Sequence, residues 1–169
     1  MFGRTQMRKY FLITLIIFSI TKLYAQKEVV YSEDRPLYSV VIPKGWNSAE
    51  YKDYKVFEIY NGDETIVYSI YELNTSLLFE AVQRTDQEAV TEFVSHEYTT
   101  AEDEVINGIT FHKMTGTGKT KGGKTFGIVV KLFRLNSNNY YMIYYSALPK
   151  DLEYYQIELD AINNSIQKR

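Results

Sequence analysis

The chain has no cysteine among its 169 residues, which excludes disulfide bonds and lipid attachment through a thiol. An apolar core must therefore supply its stability. Histidine is nearly as scarce. His96 and His112 are the only two, and without a thiolate beside them a tetrahedral zinc site lacks ligands. No apolar run reaches the roughly 20 residues that a membrane-crossing helix requires. Acidic residues are missing from residues 105–150, a stretch that holds seven bases: Lys113, Lys119, Lys121, Lys124, Lys131, Arg134 and Lys150. Residues 26–104 have the opposite bias, with 17 acids against 6 bases. The formal net charge of −2 does not suit general nucleic-acid binding, but a local basic lobe can still dock an acidic surface.

An export pattern stands at the N-terminus. Arg4, Arg8 and Lys9 precede an apolar run of about 11 residues, 10–20, and Ala25 offers a small side chain for cleavage before Gln26. This charge, apolar run and cleavage point are those of a signal peptide. The expectation is a signal peptide over 1–25 and one exported domain over 26–169, periplasmic or secreted, with no transmembrane anchor. The domain is long enough to bury most of its core without a second one.

Along the domain, YSVVI alternates and is stopped by Pro43 and Gly45, with Trp46 after the turn. VFEIYNGDETIVYSIYEL reads as a hairpin turning at Asn61-Gly62-Asp63. Residues 74–84 fit either a strand or a short helix. Thr85 and Glu88 make a capping box, and Ala89, Val90, Phe93 and Val94 follow at helical spacing, predicting a helix over 86–97. Asn107-Gly108 is the strongest hairpin signal. TFGIVVKLFRL and YYMIYYSA are strand patterns, the first apolar on both faces. Leu152, Tyr155, Leu159, Ile162 and Ile166 recur at helical spacing behind Asp151, a candidate N-cap. The order predicts an α+β fold with an antiparallel sheet of about six strands flanked by two main helices.

YSVVIPKGW, the following hairpin, the mid-chain helix, the VINGITF turn, the meander and a closing helix ending in INNSIQ together resemble the PsbP-like domain family. That family includes photosystem extrinsic subunits, small exported bacterial proteins and a nuclear-transport factor. The resemblance covers about residues 37–167. It implies an antiparallel sheet between helices in an α/β/α sandwich, usually without enzymatic activity, that works by docking onto a larger partner.

GKTKGGKT, residues 118–125, matches the string of a phosphate-binding P-loop. Such a loop must leave a strand and enter a helix, whereas Thr125 is followed by strand chemistry. A hairpin tip without nucleotide is the expectation, and no cofactor or metal is expected. No nucleophile elbow supports a hydrolase reading, which stays as a distant alternative to a non-enzymatic protein. Glu102-Asp103-Glu104 lacks calcium-loop spacing and reads as a solvated hairpin entry. His96 is placed in the helix and His112 on a strand face away from Phe111.

Two binding surfaces remain. Lys119, Lys121 and Lys124 crowd a glycine-rich tip and, with Lys113 and Lys131, form a basic lobe for an envelope protein or anionic surface. Tyr140 and Tyr144 on one strand face, or Tyr141 and Tyr145 on the other, could form an exposed strip for a small ligand or glycan.

Overall fold

Wherever apolar residues alternate at period two in this chain, a strand forms. A computed structural model describes residues 27–31 and 38–169; the expected signal peptide lies outside the described residues. In chain order the elements are β1 (Lys27–Tyr31), β2 (Tyr38–Ile42), β3 (Asn47–Tyr51), β4 (Val56–Tyr60), β5 (Val67–Glu72), α1 (Leu78–Glu92), β6 (Ser95–Ile106), β7 (Ile109–Lys119), β8 (Thr125–Arg134), β9 (Tyr140–Ala147), α2 (Pro149–Tyr154), α3 (Gln156–Ser165) and β10 (Gln167–Lys168).

This is the expected α+β class, but where the sequence predicts one sheet of about six strands the described residues form ten strands in two sheets. Seven strands form the main sheet, in order β3-β4-β5-β9-β8-β7-β6, and β1-β2-β10 form a smaller one. The difference arises after β2. There Trp46 donates its N–H to the Pro43 carbonyl at 3.1 Å, and Gly45 takes φ +84, turning the chain out of one sheet and into the other. Two antiparallel meanders make the main sheet. They meet where β5 pairs with β9, from Ser69 opposite Tyr144 to Glu72 opposite Tyr141. α1 carries the chain from this inner position to the outer edge at β6.

Both faces of the sheet are covered, and the core divides accordingly. On one face α1 lies over Met114, Ile128, Val130, Leu132, Met142 and Tyr144. On the other, Leu159 and Ile162 of α3 and Tyr38, Val40 and Ile42 of β2 pack on Phe57, Ile59, Phe133 and Ile143. Each fully buried Ile or Leu contributes about 1.5–3 kcal/mol of burial.

α1 departs from the expected 86–97 at both ends. Its buried stripe is Ala81, Thr85 and Ala89, small side chains one turn apart that let the helix approach the sheet closely. Thr85 is therefore mid-helix, donating its hydroxyl to the Val82 carbonyl at 2.7 Å instead of capping. The N-cap is instead Leu77, which makes no side-chain cap bond, and the local contacts there come from Thr75. Leu77 N–H reaches the Thr75 hydroxyl at 3.1 Å, and Thr75 also bonds Glu80. The helix ends because Phe93 turns to extended backbone, φ −120, ψ 141, to bury its ring beside Phe126, centroids 5.8 Å apart. Val90 and Val94, expected inward, are exposed. The closing helix is also broken: Asp151 sits inside α2, not at its cap, and Tyr155 separates α2 from α3 with φ −97, ψ 13. That break lets Tyr155 meet Trp46 edge-on at 5.7 Å.

Candidate docking site at the basic hairpin

β7 and β8 form a long hairpin whose tip is the P-loop-like string. Thr120 donates N–H to the Lys124 carbonyl at 2.9 Å, and Gly123 N–H donates to the Thr120 carbonyl at 2.9 Å. Gly123 takes φ +80, the left-handed position that such a short loop assigns to glycine. The tip is thus a closed, hydrogen-bonded turn, stiffer than its glycines suggest. Its base is fixed as well, since Val94 N–H donates to the Lys119 carbonyl at 2.9 Å.

The glycines of the string have structural uses that are not phosphate binding. A Cβ on Gly118 would stand 2.5 Å from the Phe93 ring, while one on Gly122 would meet only the Thr120 hydroxyl at 3.9 Å. Thr125 opens β8 rather than a helix, so no helix N-terminal amides stand behind the loop.

Lys119, Lys121 and Lys124 are all exposed, and among the described residues none has a carboxylate within ion-pair distance. Beside them Ser95, Glu97, Thr117 and Thr125 line a shallow depression of about 250 Å³ that includes Lys119. The other two lysines of the expected lobe are placed differently. Lys113 pairs with Glu102 at 3.0 Å, and Lys131, buried, pairs with Glu104 at 2.6 Å. The acidic triplet lies, as expected, on the solvated approach to the β6–β7 turn, with Glu102 and Asp103 exposed and Glu104 half-buried. It lies within β6, where Glu102, Asp103 and Glu104 face Lys113, His112 and Phe111.

The β6–β7 turn alone sets these partners. Counting outward from the Asn107-Gly108 turn sets Glu102 against Lys113 and Asp103 against His112, the register observed. Part of the charge segregated along the chain thus becomes matched charge across neighbouring strands, while the tip keeps its surplus.

Histidines follow the same logic. His96 is on β6, not in the helix, with Nε2 3.2 Å from Asp86 Oδ1 of α1. His112 Nδ1 lies 2.8 Å from Asp103 Oδ1. Among the described residues no three His, Asp or Glu side chains converge to hold a metal.

The exposed tyrosine strip does not form. Tyr141, Tyr144 and Tyr145 are buried, because helices cover both faces of β9. Tyr145 stacks on Tyr68 at 5.2 Å, and Tyr68 donates to Asn163 Oδ1 at 2.9 Å. Burial pushes the Tyr145 phenol up to about 12 and the Tyr68 phenol well above its usual value. On the α1 face, burial and then the Glu92 carboxylate raise Tyr144, and burial with a hydrogen bond to Glu88 raises Tyr71. Tyr140 alone of the four is half-buried.

Solved structures place this architecture. The Ran-binding protein Mog1p of Saccharomyces cerevisiae superposes with TM-score 0.60 at 18% identity, over 86% of this chain and 96% of that one. CyanoP, the cyanobacterial PsbP of Synechocystis, gives TM-score 0.62 at 13% identity, over 84% of this chain and 92% of that one. The chain has the PsbP-like fold. LpqN of Mycobacterium tuberculosis, described as involved in cell envelope biogenesis, has the same fold, with TM-score 0.57 at 11% identity over 85% and 91% of the two chains. No protein-family model matches the chain, and no curated protein sequence matches it. Among the described residues no helix is long and apolar enough to cross a membrane.

Proposed function

We propose that this PsbP-like chain is an exported, non-catalytic interaction or assembly module that docks an acidic envelope partner or surface through Lys119, Lys121 and Lys124. One observation carries the reading. Lys113 and Lys131 have matched carboxylates, whereas the three tip lysines project from a closed turn with none among the described residues. Unmatched like charges on a rigid protrusion repel one another, and an acidic partner relieves that repulsion while steering encounter. Two similar structures are described by binding or assembly, Ran binding and envelope biogenesis. That support is fold-level analogy, and the lysines make the case specific to this chain. Export rests on the composition of residues 1–25.

The test is capture from an envelope extract by the protein and by its Lys119→Glu/Lys121→Glu/Lys124→Glu variant, at low and high salt. The parent retains partners at low salt and releases them as the Debye length falls below about 8 Å. The variant, with unchanged thermal unfolding, retains none. Equal capture by both proteins overturns the reading.

A further inference from the structure

The α1 face of the main sheet is longer than α1. Beyond the helix start at Leu78, the far ends of β6 to β9 are left as the floor of a groove of about 610 Å³. Its position follows from register. Asp103, His112 and Leu132 stand opposite one another across β6, β7 and β8, and Arg134 stands opposite Tyr140 across β8 and β9. These residues share the alternation of Met114 and Val130, which α1 covers, with Leu132 at the boundary where that cover ends. Leu78 walls one side and Lys168 of β10 reaches the rim.

The groove's chemistry is lopsided. Arg134 donates from Nε to the Asn136 carbonyl at 3.2 Å and from Nη2 to the Ser137 carbonyl at 2.5 Å, and its guanidinium lies 5.2 Å from the centre of the Tyr140 ring. Three contacts therefore fix the fork, and both hydrogens of Nη1 stay uncommitted among the described residues. A fork already held in place loses little freedom on binding a carboxylate or phosphate oxygen. Neither Arg134 nor Lys168 has a carboxylate within ion-pair distance among the described residues, and the one carboxylate lining the groove, Asp103, is engaged by His112. Thr110 apart, the remaining side chains of the lining are apolar, chiefly Leu78, Ile109, Leu135 and the Tyr140 ring. Leu77, Leu78 and Phe79 are exposed in succession at this end of α1, 58%, 41% and 72% respectively, an apolar lip that a solvated surface does not need.

We infer that this groove binds a small amphipathic anion, with its carboxylate or phosphate head on Arg134 and Lys168 and its apolar body against Leu78 and Tyr140. Charge complementarity selects the head, and the apolar walls select the tail. The groove volume lies within the usual range of small-ligand sites. His112 and Lys119 are seven positions apart on β7, roughly 23 Å along a strand. The groove and the lysine tip thus occupy opposite ends of one hairpin, and the inference does not rest on the docking reading.

The experiment is a titration of the isotope-labelled protein with decanoate, and separately with decanol and decyltrimethylammonium, all below their micelle concentrations, followed by amide chemical shifts. Decanoate should move Thr110, His112, Arg134, Tyr140 and Lys168 and leave residues 119–124 still. Lys168→Gln, an exposed substitution that removes no internal contact, should weaken decanoate binding about tenfold, the worth of one charge-assisted bond. Leu78→Asp should weaken it as well. Equal responses to all three amphiphiles, shifts confined to the lysine tip, or binding only to phosphatidylglycerol vesicles and not to monomeric decanoate would each overturn the proposal.

Discussion

The ammonium of Lys131 on β8 lies 2.6 Å from the Glu104 carboxylate on β6, spanning the whole width of β7 between them and passing 6.0 Å from the centre of the Phe111 ring. The two ends are unequally covered: the Lys131 side chain is 6% exposed and that of Glu104 29%. Removing either partner therefore has different consequences. Glu104→Ala strands a buried ammonium and should cost about 3–5 kcal/mol. Lys131→Met fills the same volume and leaves a carboxylate that is part-exposed although its Oε1 is buried, so it should cost less, about 1–2 kcal/mol. Urea denaturation measures both, and equal losses would contradict the asymmetry.

Glycines of the hairpin separate into packed and free positions. A methyl on Gly118 would meet the Phe93 ring at 2.5 Å, whereas one on Gly122 meets only the Thr120 hydroxyl at 3.9 Å. Gly118→Ala should destabilise by about 1–3 kcal/mol through overpacking, and Gly122→Ala by less than about 0.5 kcal/mol. The ranking is read from thermal unfolding. If Gly122 proved the more sensitive of the two, the tip and not the Phe93 contact would be the constraint.

Raised phenol pKa values tie stability to alkaline pH. Tyr145 is pushed up to about 12, with desolvation the largest cause, and an unfolded tyrosine ionises near 10. The folded state holds this proton more tightly, so the contribution is complete below pH ~10 and is lost as pH climbs to ~12. Tyr68 adds in the same direction. Unfolding free energy should be flat from neutral to about pH 10 and then decline by up to about 1.4 kcal/mol per pH unit per tyrosine. Denaturant melts across that range test it, and a decline beginning well below pH ~9 would point to other groups.

Asn107 takes φ +52 in the β6–β7 turn and also donates its side-chain amide to the Asn164 and Ile166 carbonyls, both at 2.9 Å. Asn107→Asp tolerates the same backbone but turns a donor into an acceptor facing two carbonyls. It should cost about 1–2 kcal/mol and loosen the end of α3, while Asn107→Gly should be milder. Amide exchange at Ile166 reports the loosening, and an unaffected rate would deny the link.

Much of this was legible from local pattern. Strand alternation, the Asn107-Gly108 turn and the hairpin at residues 118–125 depend on neighbours in sequence, and the chain adopts them. The extent of α1 was not legible, because its core stripe is Ala81, Thr85 and Ala89, residues whose burial reflects close approach and not hydrophobicity. The more apolar Val90 and Val94 misled by pointing to solvent. Charge follows a related rule. A surplus counted along the chain, as at Lys113 and Lys131, is cancelled by strands that lie beside it in space. The groove near Arg134 has no sequence signature, since its walls come from five separate strands and a helix end.

The meeting of two meanders at β5 and β9 has a consequence for the order of folding. The β6–β7, β7–β8 and β8–β9 pairings all join sequence neighbours, so their loop closures are short and cheap in entropy. β5 must cross α1 and three strands to reach β9, a long closure that topology makes slow. We expect β6 to β9 to form the early nucleus and β3 to β5 to dock afterwards, with mutations such as Ile128→Val slowing folding and Ile59→Val mainly speeding unfolding. Stopped-flow chevrons of the two variants decide it, and the reverse pattern would place the nucleus in the first meander. On this view the central seam of the sheet is the last part of it to close.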